Sequence, residues 1–319
     1  MKKLNALLAI LCALALVFTC AGSVKADEAK PVKVGVLLSA TTHGWVGGVA
    51  YHAETYCKEL AAEGKIEYKL LTSSNAEEMT TQFDEMLLWG ADAIVVQPQW
   101  VGMEVACQNA IDSGVVVVAF DVDIAAEGIY KVTGDNESMG VAGAKYIVDK
   151  IGTEGYVVAM PVPTSGSVSE LRMKGFMETM KEIAPNIVIK EYANGSFTRE
   201  EGLRVMDDVL TANPKIDAVF SLDDETSLGS LQAISDAGRT DIKAITGGGG
   251  MQDYFNAIKA SEVVAASSAL YSPLMIKDAI AVAISVVNGE TAEPIVVIPT
   301  QIVDATNVDE FIDPANTIY

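Results

Sequence analysis

The run Val32-Lys33-Val34-Gly35-Val36-Leu37-Leu38-Ser39 is almost continuously aliphatic, and the polar stretch Ala40-Thr41-Thr42-His43-Gly44-Trp45 follows it at once. A short aliphatic run bounded by turn-forming residues reads as a strand buried on both faces. Beyond it, Val49, Ala53, Tyr56 and Leu60 recur at helical spacing. The same order of strand, polar turn and amphipathic helix then repeats. Residues 66–72, 91–97, 115–120 and 129–134 read as further strands. Asn75 with Glu78 three positions on forms a capping box ahead of Met79, Phe83 and Leu87, and Gly90 closes that helix.

After Gly134 the alternation starts again, with strands expected at 156–161, 187–192, 218–222, 242–246 and 263–270. Strands that alternate with helices form parallel sheets covered on both faces, because the right-handed crossover needs the intervening helix. Two such rounds predict an α/β protein with two doubly wound parallel-sheet lobes joined by short hinge strands. The first lobe is expected to comprise 32–134 plus 271–299, the second 135–270 plus 300–319. In a sheet of order 2-1-3-4-5 the first and third helices flank opposite faces, and Cys57 and Cys107 sit on those two helices. Bridged cysteines need Cα atoms within about 7 Å, so two free, buried thiols are expected.

Ahead of the first strand, Lys2 and Lys3 precede an apolar run over 4–18, the charge-then-apolar order of an export signal. The run is too short to cross a bilayer comfortably. Two readings of its end stay open. Cleavage after Ala26 satisfies the small-residue rule, whereas Val17-Phe18-Thr19-Cys20 resembles a lipoprotein signal in which Cys20 is acylated. Loss of 1–26 removes three lysines and no acid, which moves the net charge from −21 to −24. A surface that negative repels nucleic acid and anionic lipid.

Ligands of open α/β sheets bind beyond the carboxyl ends of the strands. Those ends are unusually polar and aromatic here. The first is followed by His43 and Trp45, the third by Gln97-Pro98-Gln99-Trp100, and the fourth by Asp121-Val122-Asp123. In the second half they carry Asp223-Asp224, the run Gly247 to Gly250, and Tyr271.

These motifs, with VTGDN, LRMKGF and AVFSLDDETSLGSLQAI between them, stand in the order found in the ribose-type family of periplasmic sugar-binding proteins, which the chain resembles over nearly its whole mature length. The resemblance implies the type I periplasmic binding protein fold. It also implies a ligand set of Ser39, His43 and Trp45 from the opening loop, Gln97, Asp121, Arg172, Phe197 and Asp223. Two positions depart from the family pattern. Val122 replaces the arginine that often follows the aspartate, and Gly248-Gly249 replaces the usual aromatic-aspartate pair. Gly249 and Tyr271 complete the expected set. The departures point away from ribose itself, and the opening His43-Gly44-Trp45 with the glycine run resembles an inositol-, polyol- or pentitol-type branch of the family.

The residue types suit a neutral polyhydroxylated guest. Carboxylates accept from pairs of hydroxyls, the arginine fork donates to several oxygens, and aromatic faces cover C–H surfaces. No Lys or Arg cluster is present for a phosphorylated guest. The glycine run lacks the Lys-Ser/Thr of a phosphate loop and reads as a tight turn. His43 and His52 are the chain's two histidines, and with two buried thiols they make no closely spaced metal set. No metal or cofactor is expected. Asp224-Glu225 could be read as an acid–base pair, but no nucleophile with an activating base accompanies it. The expected function is a monomeric, extracytoplasmic receptor that closes over a sugar or polyol, and the resemblance implies that it delivers this guest to an ABC-type permease. A sensory subunit feeding a chemoreceptor or histidine kinase would use the same cleft, and a sugar-processing enzyme is the more distant alternative.

Overall fold

The computed structural model of the chain describes residues 30–40 and 44–319. The export signal, Cys20 and His43 fall outside the described residues. Among those described, no helix is long and apolar enough to cross a membrane.

The first sheet is built from β1 (Val32–Ser39), β2 (Ile66–Ser73), β3 (Ala93–Val96), β4 (Val116–Phe120), β5 (Tyr130–Gly134) and β11 (Ile295–Ile298), in the order β11-β5-β4-β3-β1-β2. The second holds β6 (Glu154–Met160), β7 (Asn186–Glu191), β8 (Ala218–Ser221), β9 (Ala244–Gly249), β10 (Ala265–Leu270) and β12 (Ile302–Asp304), in the order β12-β10-β9-β8-β6-β7. All neighbours are parallel except β12, which runs antiparallel to β10. Each sheet thus carries the doubly wound order with an added edge strand. The chain passes between the sheets three times, after β5, after β10 and between β11 and β12. Leu270 N–H donates to Gln301 O (2.9 Å) and Asp135 N–H to Ile298 O (2.9 Å), which laces the crossing strands together.

Alternation along each strand sorts its side chains onto two faces. Val34, Val36 and Leu38 of β1 pack with α1 (Gly44–Ala62) and α9 (Ile276–Val287), whereas Leu37 joins α2 (Ala76–Trp89) and α3 (Met103–Asp112) on the other side. Cys57 belongs to the first of these clusters and Cys107 to the second, and both are buried and unbridged. Burial pushes each thiol up to about 12. The second sheet repeats the scheme. Val158 and Met160 of β6 face α6 (Arg199–Ala212) and α8 (Gln252–Ala260), while Val157 and Ala159 face α4 (Asn136–Ile151) and α5 (Ser167–Ile183). Half of the predicted capping box of α2 forms: Asn75 Oδ1 accepts from Glu78 N–H (2.9 Å), while the Glu78 carboxylate accepts from Ser74 N–H (2.6 Å) rather than from Asn75, and Gly90 closes the helix in the left-handed region.

The glycine run is not the turn expected from sequence. Gly247, Gly248 and Gly249 are strand residues of β9, paired with Ser268, Ala269 and Leu270. A Cβ at Gly247 would stand 2.5 Å from Asp224 Oδ1, and one at Gly248 would stand 2.6 Å from the Met139 methyl. The strand stays bare because neighbouring side chains already occupy that space.

Glycine also sets two helix crossings. A Cβ at Gly140 of α4 would lie 2.0 Å from Arg172 O, and one at Gly175 of α5 would lie 2.1 Å from Glu137 O. Gly202 of α6 and Gly229 of α7 (Asp224–Asp236) contact each other's helix in the same reciprocal way, at Thr226 O and Arg199 O. Backbone meets backbone, as small residues at helix interfaces permit. The first crossing fixes the height of Arg172 on α5.

Candidate functional site

The carboxyl ends of both sheets face one cavity. It spans ≈ 530 Å³ of space between side chains, part of it open solvent. Its wall includes Trp45, Gln97, Asp121, Arg172, Phe197, Asp223, Gly249 and Tyr271, eight of the ten residues singled out from sequence. Ser39 stands behind the wall, where its hydroxyl donates to Gln97 Oε1 (2.6 Å). His43 is the tenth, outside the described residues.

On the side of the first sheet, Asp121 follows β4 in the left-handed region with φ 70°, the one described non-glycine residue with positive φ. Aspartate tolerates this conformation better than most residues, and such outliers concentrate at functional sites. The twist presents a buried carboxylate to two donors: Tyr271 Oη donates to Oδ1 (2.6 Å) and Gln97 Nε2 to Oδ2 (2.9 Å). Burial raises the Asp121 carboxyl above its ordinary value, against the pull of those two bonds and of the Arg172 charge. Because Ser39 fixes the amide of Gln97, and Gln97 in turn fixes Asp121, the acceptor is aimed before any guest arrives.

Tyr271, immediately after β10, joins the two lobes. Its carbonyl accepts from Trp45 Nε1 (2.7 Å), its hydroxyl meets Asp121 and lies 3.4 Å from Asn136 Nδ2, and its ring carries the Arg172 guanidinium 4.7 Å above its centre. Arg172 is itself buried. It donates from Nε to Asn136 Oδ1 (2.8 Å) and from Nη1 to Leu222 O (2.8 Å). Two of its five N–H donors are thus committed, and the fork is held flat. Trp45 lies parallel to Phe120 at 6.1 Å between centroids, so part of its ring is core and part is cavity wall.

The second lobe contributes differently. Asp223 is the N-cap of α7, with its carboxylate accepting from the N–H groups of Thr226 and Glu225 and from the Thr226 hydroxyl. Burial lifts it to about 6. Asp224 is fully buried and lifted to about 7, first by burial and further by the neighbouring Asp223. Its Oδ2 accepts from Gly250 N–H (2.8 Å), Met251 N–H (2.9 Å) and Ser268 Oγ (2.9 Å), which ties the end of β9 to α7. Glu225 pairs with Arg199 (3.3 Å). Asp224 and Glu225 are therefore engaged in structure and do not form an acid–base pair.

Sequence reasoning noted Gln99 at a strand end without adding it to the ligand set and missed Ser165, Val168 and Tyr319; all four line the cavity. Gln99 and Ser165 follow β3 and β6, so a stricter use of the strand-end rule finds them. Tyr319 has no local signal. Trp100 packs at the margin of the core beside α3 rather than in the cavity. His52 is half-buried, and burial lowers its imidazole.

The fold and this cleft define a two-lobed solute receptor, and the comparisons agree. The model of the periplasmic binding protein domain matches residues 34–291, and the chain belongs to that family. Within it the chain is similar to sugar- and polyol-binding members, among them the ribose type. It is 27% identical over 248 residues to the xylitol-binding protein of Mycolicibacterium smegmatis, a match covering 76% of this chain and 69% of that protein. It is 31% identical over 189 residues to the ribose import binding protein of Bacillus subtilis, covering 58% of this chain and 60% of that one, less than two thirds of its length. The fold is shared with an ABC transporter solute binding protein of Bacillus halodurans solved with bound myo-inositol, with a TM-score of 0.80 at 19% identity, over 90% of this chain and 99% of that one. Proteins of this family work outside the cytoplasmic membrane.

Proposed function

We propose that the chain captures one neutral sugar or polyol between its lobes and presents the closed complex to an ABC-type permease. The observation that carries this reading is the pre-aimed pair Asp121 and Arg172. A carboxyl acceptor and a planar donor are both fixed by protein partners before a guest binds, in a cavity whose wall also holds Trp45 and Phe197. Such a site recognises adjacent hydroxyls by paired donors and acceptors and covers the C–H face of the guest with aromatic surface. Arg172 is the one cationic residue among the described residues of the wall, too little for a phosphate ester. What the relatives are named for supports the class of guest, and the polyol among them fits a site without the second arginine.

The lobes in this reading are 32–134 plus 271–299 and 135–270 plus 300–319, hinged at the three crossings. Closure requires that the guest interact better with the closed arrangement than with the open one. The cleft is made wholly from one chain, so a monomer suffices. Residues 1–26 act as the export signal, ending either at Ala26 or in acylation of Cys20. Thermal-shift titration of residues 27–319 tests the function, using xylitol, myo-inositol, D-ribose and D-allose, with an amino acid, a nucleoside and a sugar phosphate as controls. Binding to the native state raises the melting temperature by mass action. A rise with a neutral sugar or polyol is expected; a rise only with a control overturns the ligand class.

A further inference from the structure

We infer that Tyr319, carried by the strap 313–319, is a guest-contacting residue that sets the size of guest the cleft accepts. This rests on the reading of the cleft as a sugar or polyol site. The Tyr319 side chain is buried, packs in the cluster that contains Trp45, Phe120 and Tyr271, and forms part of the cavity wall with Arg172 and Asp223.

Three glycines make its socket. A Cβ on Gly249 would stand 2.2 Å from Tyr319 Oη, one on Gly44 would stand 3.3 Å from Cδ2, and one on Gly48 would stand 3.2 Å from Cβ. Gly249 ends β9 in the second lobe with φ +143°, whereas Gly44 and Gly48 open α1 in the first. The ring therefore fills space that β9 leaves bare at Gly249, and it does so between the lobes. No side chain on that strand could reach the cavity there without displacing it.

The strap is held, not merely laid down. Asp313 N–H donates to Gln252 Oε1 (2.7 Å), and Gln252 Nε2 donates to Phe311 O (3.2 Å), which anchors the approach on α8. Asn316 then shapes the final turn. Its Oδ1 accepts from Ile318 N–H (3.1 Å) and Tyr319 N–H (3.3 Å), and its Nδ2 donates to Tyr319 O (2.6 Å). An anchor on the second lobe thus delivers an aromatic wall into a core cluster of the first. Removing the ring enlarges the cavity toward Gly249 while leaving Asp121, Gln97 and Arg172 with all their partners.

Calorimetric titration of wild type, Tyr319→Ala, Tyr319→Leu and Tyr319→Phe with xylitol, D-ribose, myo-inositol, D-allose and the disaccharide maltose tests the inference, with unfolding in urea measured alongside. Tyr319→Ala is expected to weaken the best wild-type probe by ~10-fold or more and to move the ranking toward bulkier probes. Tyr319→Phe keeps the ring and the ranking, and Tyr319→Leu, which retains apolar volume in the socket, falls between. If wild type binds but Tyr319→Ala and Tyr319→Leu keep its affinities and ranking, the inference fails and the sugar site stands. A uniform loss across probes that tracks lost folding stability likewise overturns it. If wild type binds no probe, the reading of the cleft falls and this inference with it.

Discussion

Asp121→Asn separates recognition from folding more cleanly than any other change in the cleft. Asparagine tolerates the left-handed backbone at φ 70°, which alanine does not. The amide also fits its surroundings: its oxygen can accept from Gln97 Nε2, and its NH2 can face Tyr271 Oη, which is able to accept as well as donate. A buried charge disappears, so the guest-free protein should unfold at a urea midpoint close to that of wild type. The guest fares worse. A carboxylate has about four acceptor positions, and Tyr271 and Gln97 occupy two. The guest loses up to two hydrogen bonds to a charged acceptor, each worth about 1.5–3 kcal/mol, and recovers at best one neutral bond of about 1 kcal/mol. The net loss is about 3 kcal/mol, or ~100-fold in Kd. Calorimetry on the best wild-type guest, paired with urea unfolding, reads both quantities. Unchanged affinity would refute the role assigned to Asp121. So would a fall in affinity matched by an equal fall in guest-free stability, because the residue would then be acting as scaffold.

Arg172→Lys should abolish measurable binding and lower stability by about 1–3 kcal/mol in urea, since an ammonium cannot reach both Asn136 Oδ1 and Leu222 O from the Tyr271 face, leaving a buried acceptor unpaired. Gly140→Ala should destabilise despite alanine's better helix propensity of about 1 kcal/mol: its methyl meets Arg172 O, so α4 and α5 must part, and guest affinity should drop with the urea midpoint. Asp223 and Asp224 hold protons to about 6 and about 7, above the usual 3.8 of an aspartate. The native state then binds more protons than the unfolded chain between those values, so guest-free melting temperature should fall as pH rises from ~4 to ~7, then level. Asp224→Asn should flatten most of that slope. Arg204 and Arg239 hold Glu201 and Asp241 below their ordinary values, and these lose their contribution only on the acid side of ~4.5.

The α/β architecture was legible because each strand reads as a short aliphatic run and each helix as a 3.6-residue stripe. The first strand falls where the sequence places it. The β9 glycines were not legible: glycine has low strand propensity, and the pressure that excludes side chains there comes from Met139, Asp224 and Tyr319, distant in sequence. The strand-end rule brought Gln97, Asp121, Asp223 and Tyr271 to one cavity, because the fold itself dictates where those positions point. It could not tell that Asp223 would be occupied as a helix cap, nor that Tyr271 rather than the opening loop would connect Trp45, Asp121 and Arg172. Tyr319 belongs to no strand end of the cleft. Its place follows from the path of a strap, which no periodicity encodes.

The setting of Trp45 gives the molecule a built-in optical signal. The chain has three tryptophans. Trp89 lies between Lys33 and Lys69, and Trp100 packs beside α3, so neither faces the cleft. Trp45 alone among them has its indole N–H on Tyr271, one face toward Phe120 and an edge in the cavity. When a guest displaces water from that edge, the emission of one indole should shift in wavelength and intensity over the constant background of the other two. Equilibrium titrations and stopped-flow records of closure then need no dye and no label, and Trp45→Phe supplies the blank.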